Sequence, residues 1–127
     1  MKFRYTILYV ADVAATLDFY VHAFGIEKKM IHESGDYGEL ATGDTKLSFS
    51  SKSLMESLGK TPGNVDPEAP VFEIAFETED VAAALKRAVA AGAALVQDVE
   101  QMPWGQTTAY IRDNNGFLVE LCTAVSL

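Results

Sequence analysis

The chain has 127 residues, which is enough for one domain or for two small half-domains with a core. Its formal net charge of −8 argues against nucleic acid, whose phosphates require a basic surface, and suits cationic small molecules. A single cysteine, Cys122, excludes an intramolecular disulfide and is typical of a reducing compartment. The sequence shows no signal region and no apolar run long enough to cross a membrane. We therefore expect a cytoplasmic protein without membrane or nucleic-acid partners.

The first part of the chain predicts a strand, a helix and three further strands. Tyr5 to Val10 is rich in β-branched and aromatic residues, which favour a strand. Asp12 is a good N-cap for a helix from Val13 to Phe24, and Gly25 is a typical residue to end it. The further strands are predicted at residues 27–33, 37–42 and 45–51.

A linker is predicted at residues 52–70, which hold three of the four prolines. Within it, Ser53 to Leu58 favours one or two helical turns. The remainder predicts an irregular loop of the kind that covers pockets or joins domains.

The second part of the chain repeats the order of the first. A strand is predicted from Val71 to Thr78, followed by the N-cap Asp80 and a helix from Val81 to Ala91 that ends at Gly92. The closing strands are predicted at residues 94–101, 107–112 and 117–123, with a hairpin turn at residues 113–116.

An internal repeat relates the two parts. The sequence D-V-A-A-T-L begins at Asp12 and D-V-A-A-A-L begins at Asp80, an offset of 80 − 12 = 68 residues with five of six positions identical. We therefore predict one α+β domain built from two pseudo-symmetric β-α-β-β-β modules, about residues 1–51 and 71–127. The expected sheets are curved and mixed, with the helices outside.

Alternation along the strands places two carboxylates on the open face of a sheet, meaning the face away from its helix. Phe72, Ile74 and Phe76 are predicted to pack under the helix, which leaves Glu73 on the open face. In the last strand the same argument leaves Glu120 there.

The repeat maps each of these carboxylates onto a residue of the first module. Glu73 maps onto Tyr5 with the offset of 68, and Glu120 maps onto Ser48 with an offset of 72. If the modules pair, within one chain or across a dimer, the four positions converge in a cup-shaped pocket, which is the predicted site.

Two segments of the chain, together with its paired modules, resemble a known family. The matching segments are V-A-D-V-A-A-T-L-D-F-Y-V-H-A-F-G-I at residues 10–26 and P-W-G-Q-T-T-A-Y-I-R-D-N-N-G-F-L-V-E-L at residues 103–121. Together with the paired modules, they resemble the glyoxalase / bleomycin-resistance / dioxygenase (vicinal oxygen chelate) superfamily. The resemblance implies a homodimer, often with paired or exchanged modules. It implies no single activity, because this superfamily contains lyases, epimerases, dioxygenases, thiol transferases and metal-free drug-binding proteins.

The resemblance also implies where a metal would bind. In the metalloenzyme members the four positions carry the ligands, typically two His or Gln and two Glu. Here Glu120 is the usual ligand, Glu73 stands where His is typical, and Tyr5 and Ser48 are poor ligands for a divalent metal. We therefore expect no metal cofactor, with a divalent ion held by Glu73, Glu120 and water as the alternative.

The two histidines do not restore a metal site. His22 falls on the first predicted helix and His32 on the second predicted strand, and neither aligns with a ligand position. A ring-cleaving dioxygenase and a metal-dependent thiol transferase are therefore disfavoured.

Aromatic residues provide further candidate ligand contacts. Trp104, beside a predicted bulge at Gly105, is either a stacking surface for a flat ligand or a core residue. Tyr5 and Tyr9 share the open face of the first strand and either orient a ligand or form a dimer interface. Cys122 is predicted to be a small buried residue without a catalytic base.

Two functions follow from these residues. The first is a metal-independent binding protein that sequesters a small aromatic or cationic molecule, with Tyr5, Tyr9, Ser48, Glu73, Trp104 and Glu120 as the candidate contacts. The second is a glyoxalase-like lyase or isomerase in which Glu73 and Glu120 perform acid/base chemistry beside a carbonyl, with a divalent metal or another electrophile. The sequence favours the first and leaves catalysis open.

Overall fold

The computed structural model describes residues 1–125 as an α+β fold with three helices and two four-stranded mixed sheets. This confirms the predicted fold class. The chain divides into two compact units, Met1–Asn64 and a second that begins at Val65, so the predicted linker is shared between them. Within the described residues, no helix combines the length and the apolar character needed to cross a membrane.

The first unit contains five of the elements that the sequence predicts, and one short helix after them. They are β1 (Tyr5–Val10), α1 (Val13–Phe24), β2 (Lys28–Ile31), β3 (Tyr37–Leu40), β4 (Lys46–Ser51) and α2 (Lys52–Ser57). The strand order in the sheet is β1-β4-β3-β2, with β1 parallel to β4 and the remaining pairs antiparallel. The helix predicted inside the linker therefore forms, at Lys52–Ser57.

Helix α1 begins and ends as its capping residues predict. The Asp12 carboxylate accepts a hydrogen bond of 3.0 Å from the backbone N–H of Ala15, which satisfies one free donor of the first turn. Gly25 ends the helix with φ of 69°, a left-handed conformation that favours glycine, and its N–H donates to the carbonyl of Val21.

The core of the first unit lies between α1 and its sheet. Leu17 and Tyr20 of the helix are fully buried, as is Phe49 of β4. The rings of Tyr20 and Phe49 are 5.2 Å apart between centroids. Gly38 of β3 allows the helix to approach closely, because a Cβ there would lie 2.5 Å from Cδ1 of Leu17.

The second unit repeats the order of the first. Its elements are β5 (Ile74–Glu77), α3 (Val81–Ala90), β6 (Ala94–Gln101), β7 (Thr107–Arg112) and β8 (Leu118–Cys122). The strand order is β5-β8-β7-β6, with β5 parallel to β8 and the remaining pairs antiparallel. Asp80 caps α3 as Asp12 caps α1, by accepting a hydrogen bond of 3.0 Å from the N–H of Ala83.

The strand predicted from Val71 to Thr78 is shorter than expected. Ladder pairing begins at Ile74, so Glu73 precedes the strand instead of lying within it. The prediction that Phe72 packs under the helix is wrong, since Phe72 is 43% exposed and its ring contacts Phe117 at a centroid distance of 5.7 Å. Alternation requires a paired strand, and Phe72 lies before the pairing starts.

The register of the two parallel strand pairs agrees with the repeat. Ile7 lies opposite Ser48 in the first unit, and Ala75 lies opposite Glu120 in the second. The offsets are 75 − 7 = 68 and 120 − 48 = 72, the same two values that the sequence gives. Ser48 and Glu120 therefore occupy equivalent positions in their own sheets.

Candidate functional site

The open face of the first sheet carries the tyrosines predicted for it. Tyr5 and Ile7 are exposed and Tyr9 is partly exposed, whereas Leu8 and Val10 are buried on the other face. The alternation predicted for β1 is therefore confirmed, and both tyrosines are available to a ligand on this face.

Ser48 lies in the middle of the same sheet and is fully buried. Its Oγ has no hydrogen-bond partner of good geometry in residues 1–125. Burial raises the pKa of the nearby Tyr37 phenol, and its proximity to the Ser48 hydroxyl acts in the opposite direction. The Tyr37 hydroxyl donates to Oε2 of Glu39 at 2.8 Å. Burial is the larger influence and raises the pKa of Tyr37 overall.

In the second unit, Glu73 and Glu120 meet at the hydroxyl of Tyr110. The Tyr110 O–H lies 2.5 Å from Oε2 of Glu120 and 3.2 Å from Oε2 of Glu73. Tyr110 of β7 is directly opposite Glu120 of β8 in the antiparallel register. The structure therefore brings the two predicted carboxylates together within the second unit, through a tyrosine that the sequence did not single out.

The electrostatics of this cluster keep Tyr110 protonated. Burial raises the pKa of Tyr110 far above its ordinary value, and the hydrogen bond and negative charge of Glu120 act in the same direction. The single phenolic proton is placed to donate mainly to Glu120, the nearer carboxylate, and the O–H dipole between the two carboxylates can reduce their mutual repulsion. Neither carboxylate forms an ion pair in the described chain; the salt bridge found on this sheet joins Arg112 to Glu68.

The raised pKa of Tyr110 predicts how stability responds to alkaline pH. A phenol whose pKa is higher in the folded state stabilises the fold fully below pH 10.0, its ordinary value, and less as the pH rises above it. We expect Tyr110→Phe to reduce the loss of stability above pH 10.0, because the variant has no phenol to ionise there. Urea unfolding of both proteins at neutral and alkaline pH measures this. Identical alkaline slopes in the two proteins would contradict the raised pKa.

Trp104 lies outside the core. It is 62% exposed, in the turn between β6 and β7, and its Nε1–H donates to Oε1 of Gln106 at 2.8 Å. The alternative of a core residue is therefore wrong. The predicted bulge at Gly105 is also wrong: Gly105, with φ of 93°, belongs to the turn, and the ladder irregularities fall inside β6.

Cys122 and the histidines have ordinary surroundings. Cys122 is buried, and burial together with the charge of Glu120 raises the pKa of its thiol, which makes it a poor nucleophile. Both histidines are exposed, His22 Nδ1 lying 2.7 Å from the carbonyl of Asp18 and His32 Nδ1 lying 2.8 Å from Oγ of Ser34.

A divalent metal fits poorly at the second unit's carboxylates. Over residues 1–125, no group of three or more His, Cys, Asp or Glu side chains is placed to hold a metal ion. Glu73 and Glu120 supply only two ligands, and the third polar group between them is a phenol that keeps its proton. The donor set therefore does not provide a metal centre within this unit, and metal independence stays a prediction.

Comparison with known families and structures is consistent with this architecture. A family model described as the Glyoxalase/Bleomycin resistance protein/Dioxygenase superfamily matches residues 2–121. Among curated proteins, none matches the chain.

Several solved structures share the fold at low sequence identity. A glyoxalase-related enzyme from Fulvimarina pelagi is 21% identical, with a TM-score of 0.80 over 97% of this chain and 88% of that one. A glyoxalase/bleomycin resistance protein/dioxygenase family enzyme from Burkholderia phytofirmans PsJN is 20% identical, with a TM-score of 0.79 over 99% and 100%. TioX from Micromonospora sp. ML1 is 22% identical, with a TM-score of 0.74 over 97% and 98%. At these identities the likeness establishes the fold alone.

Proposed function

The chain belongs to the glyoxalase/bleomycin resistance protein/dioxygenase superfamily, and on that premise we propose that it is a metal-independent binding protein for a small aromatic or cationic molecule. The observation that carries this proposal is the convergence of Glu73 and Glu120 on the Tyr110 hydroxyl, with no ion pair to either carboxylate among the described residues. Homodimer formation, which the family resemblance implies, is part of the same proposal.

The charge of the carboxylate pair supports a cationic ligand. Two carboxylates held by one phenol concentrate negative charge on a chain that already has a net charge of −8. Glu120 is partly buried, so its charge is screened less than that of a fully exposed residue. A ligand that brings a positive group to this face satisfies both carboxylates at once.

Exposed aromatic side chains support an aromatic ligand. Trp104 presents most of its surface to solvent, and its indole N–H is held by Gln106 in a fixed hydrogen bond. Tyr5 and Tyr9 are the corresponding predicted contacts on the open face of the first unit, whereas Ser48, the third predicted contact there, is fully buried. Stacking on such rings stabilises a flat ligand, and a positive charge strengthens the interaction.

Calorimetric titration of chelator-treated protein with benzylamine tests the proposal, with the neutral isostere benzyl alcohol as the matched control. We expect saturable binding of benzylamine and at least about tenfold weaker binding of benzyl alcohol. Trp104 fluorescence recorded in the same titrations reports whether the indole is part of the binding face. Absence of saturable binding, or binding that requires an added divalent metal, would overturn the proposal.

One observation supports the alternative function, a lyase or isomerase. A lyase or isomerase of the glyoxalase type needs an electrophile beside its base, and the neutral Tyr110 O–H supplies a hydrogen-bond donor next to Glu120. In that mechanism Glu120 or Glu73 removes a proton beside a carbonyl. Unchanged turnover of a hemithioacetal by both Glu120→Gln and Glu73→Gln in active preparations would exclude it.

A further inference from the structure

Arg112 occupies the same open face as the carboxylate cluster. It follows Tyr110 by two residues on β7, so both side chains leave the strand on the same side, with Cα atoms roughly 7 Å apart. Across the ladder, Arg112 lies opposite Leu118 where Tyr110 lies opposite Glu120. A cationic group therefore stands beside the acidic cluster without forming an ion pair with it.

The guanidinium of Arg112 is only partly satisfied. Its side chain is 27% exposed, and one terminal nitrogen lies 3.2 Å from Oε1 of Glu68. The Nε–H is buried and has no hydrogen-bond partner in residues 1–125. A guanidinium presents its donors as a planar fork that matches a carboxylate bidentately. In Arg112 one terminal nitrogen pairs with Glu68, and the buried Nε–H is left without a partner in the described residues.

The Glu68 side chain can be displaced from Arg112 at little cost in stability. Its side chain is 82% exposed, and an exposed ion pair of this kind contributes little to stability. The segment that carries it is held by other contacts. The backbone N–H of Glu68 donates to Asp66 at 3.0 Å, and Val65 and Pro67 lie over Gly116. The Glu68 side chain can therefore release Arg112 while the segment stays in place.

We propose that Arg112 is an anion-recognition residue, and that Glu68 occupies it as an internal carboxylate until a ligand carboxylate takes its place. A carboxylate is favoured over a phosphate, because the neighbouring Glu73 and Glu120 repel a dianion more strongly. Combined with the cation subsite at Glu73 and Glu120, the ligand class is a small molecule that carries both an ammonium group and a carboxylate. Only this combination rests on the proposed function; the anion subsite does not.

The test follows the Arg112 Nε–H directly by ¹⁵N NMR at constant ionic strength. Benzoate, benzylamine, 4-(aminomethyl)benzoate and inorganic phosphate are titrated separately into the protein. We expect benzoate to shift the Nε–H signal saturably, phosphate to bind more weakly, and 4-(aminomethyl)benzoate to bind about tenfold or more tighter than either single-charge fragment. Affinities from calorimetry allow the variants to be compared on one scale.

Substitutions separate recognition from a structural salt bridge. Glu68→Gln should bind benzoate about three- to fivefold tighter, the gain expected from removing a competing surface ion pair. Glu33→Gln, which removes the same charge from the first unit, should leave the affinity unchanged. Arg112→Gln should abolish benzoate binding, and Arg112→Lys should weaken it because the ammonium lacks the fork.

The possible results distinguish failure of the anion subsite from failure of the cation site. An Nε–H signal that benzoate does not move, equal or weaker benzoate binding in Glu68→Gln, or phosphate binding as tight as benzoate would overturn the assignment. Benzoate binding without benzylamine binding would leave the anion subsite intact and refute the cation site of the proposed function. Benzylamine binding without benzoate binding would do the reverse.

Discussion

Replacing Phe49 with alanine is expected to lower the free energy of unfolding by about 3–5 kcal/mol. Phe49 is fully buried in β4, and its ring contacts that of Tyr20 at a centroid distance of 5.2 Å. The substitution removes the transfer free energy of the ring and leaves a cavity between α1 and the sheet. Such a loss is a large fraction of the total stability of a small domain, which is about 5–15 kcal/mol.

Urea unfolding at neutral pH measures this loss, with Phe3→Ala as the matched control. Phe3 is 73% exposed, so the same substitution there is expected to change stability by less than about 0.5 kcal/mol. Phe49→Leu, which keeps most of the buried volume, provides a folded intermediate case if Phe49→Ala does not fold. A loss of stability at Phe49 no greater than at Phe3 would contradict the assignment of the core.

Local chemistry made most of the fold predictable. Asp12 and Asp80 cap their helices through the same hydrogen bond, and Gly25 adopts the left-handed conformation that its position suggests. Strand β1 has the predicted bounds, and its alternation separates exposed Tyr5 from buried Val10. These features depend on neighbours in the sequence, so a single sequence contains them.

The sequence predictions were wrong or incomplete where contacts between distant parts of the chain determine the bounds of a strand or the burial of a side chain. The first strand of the second unit starts at Ile74, because parallel pairing with β8 begins there, and Phe72 consequently escapes the alternation. The complete burial of Ser48 has no local signal either, since serine is usually exposed. Both results depend on what covers a strand, which its own residues do not specify.

The candidate site was predictable in part. Strand alternation selected Glu73 and Glu120, the repeat added Tyr5 and Ser48, and the structure joins the two carboxylates through Tyr110. A signal for Tyr110 did exist: alternation along the predicted strand at residues 107–112 separates Tyr110 and Arg112 from the apolar Ala109 and Ile111. The predicted turn at residues 113–116 would place Tyr110 opposite Val119, whereas the observed register, in which Asp113 pairs with Phe117, places it opposite Glu120. The contact of Arg112 with Glu68 depends on how a loop folds back and has no such signal.

Glu120→Gln is expected to weaken benzylamine binding by about tenfold to a hundredfold, the range for losing one charged hydrogen-bonding partner in a partly buried site. The change keeps the size of the side chain and an oxygen that can accept from Tyr110, so the sheet should stay intact. Calorimetry at neutral pH and low salt measures the affinity. Circular dichroism confirms that the variant is folded.

Glu77→Gln is the matched control for this experiment, because it removes the same charge from the same open face. Glu77 lies opposite Cys122, one same-face step along β8 from Glu120, and it makes no contact with Tyr110 among the hydrogen bonds of the described chain. A small effect at Glu77 with a large effect at Glu120 identifies a defined cation site. Equal effects would indicate that benzylamine responds only to the general negative field of an acidic chain. Binding through that field should weaken with added salt, whereas binding that depends on the partly buried charge of Glu120 should persist.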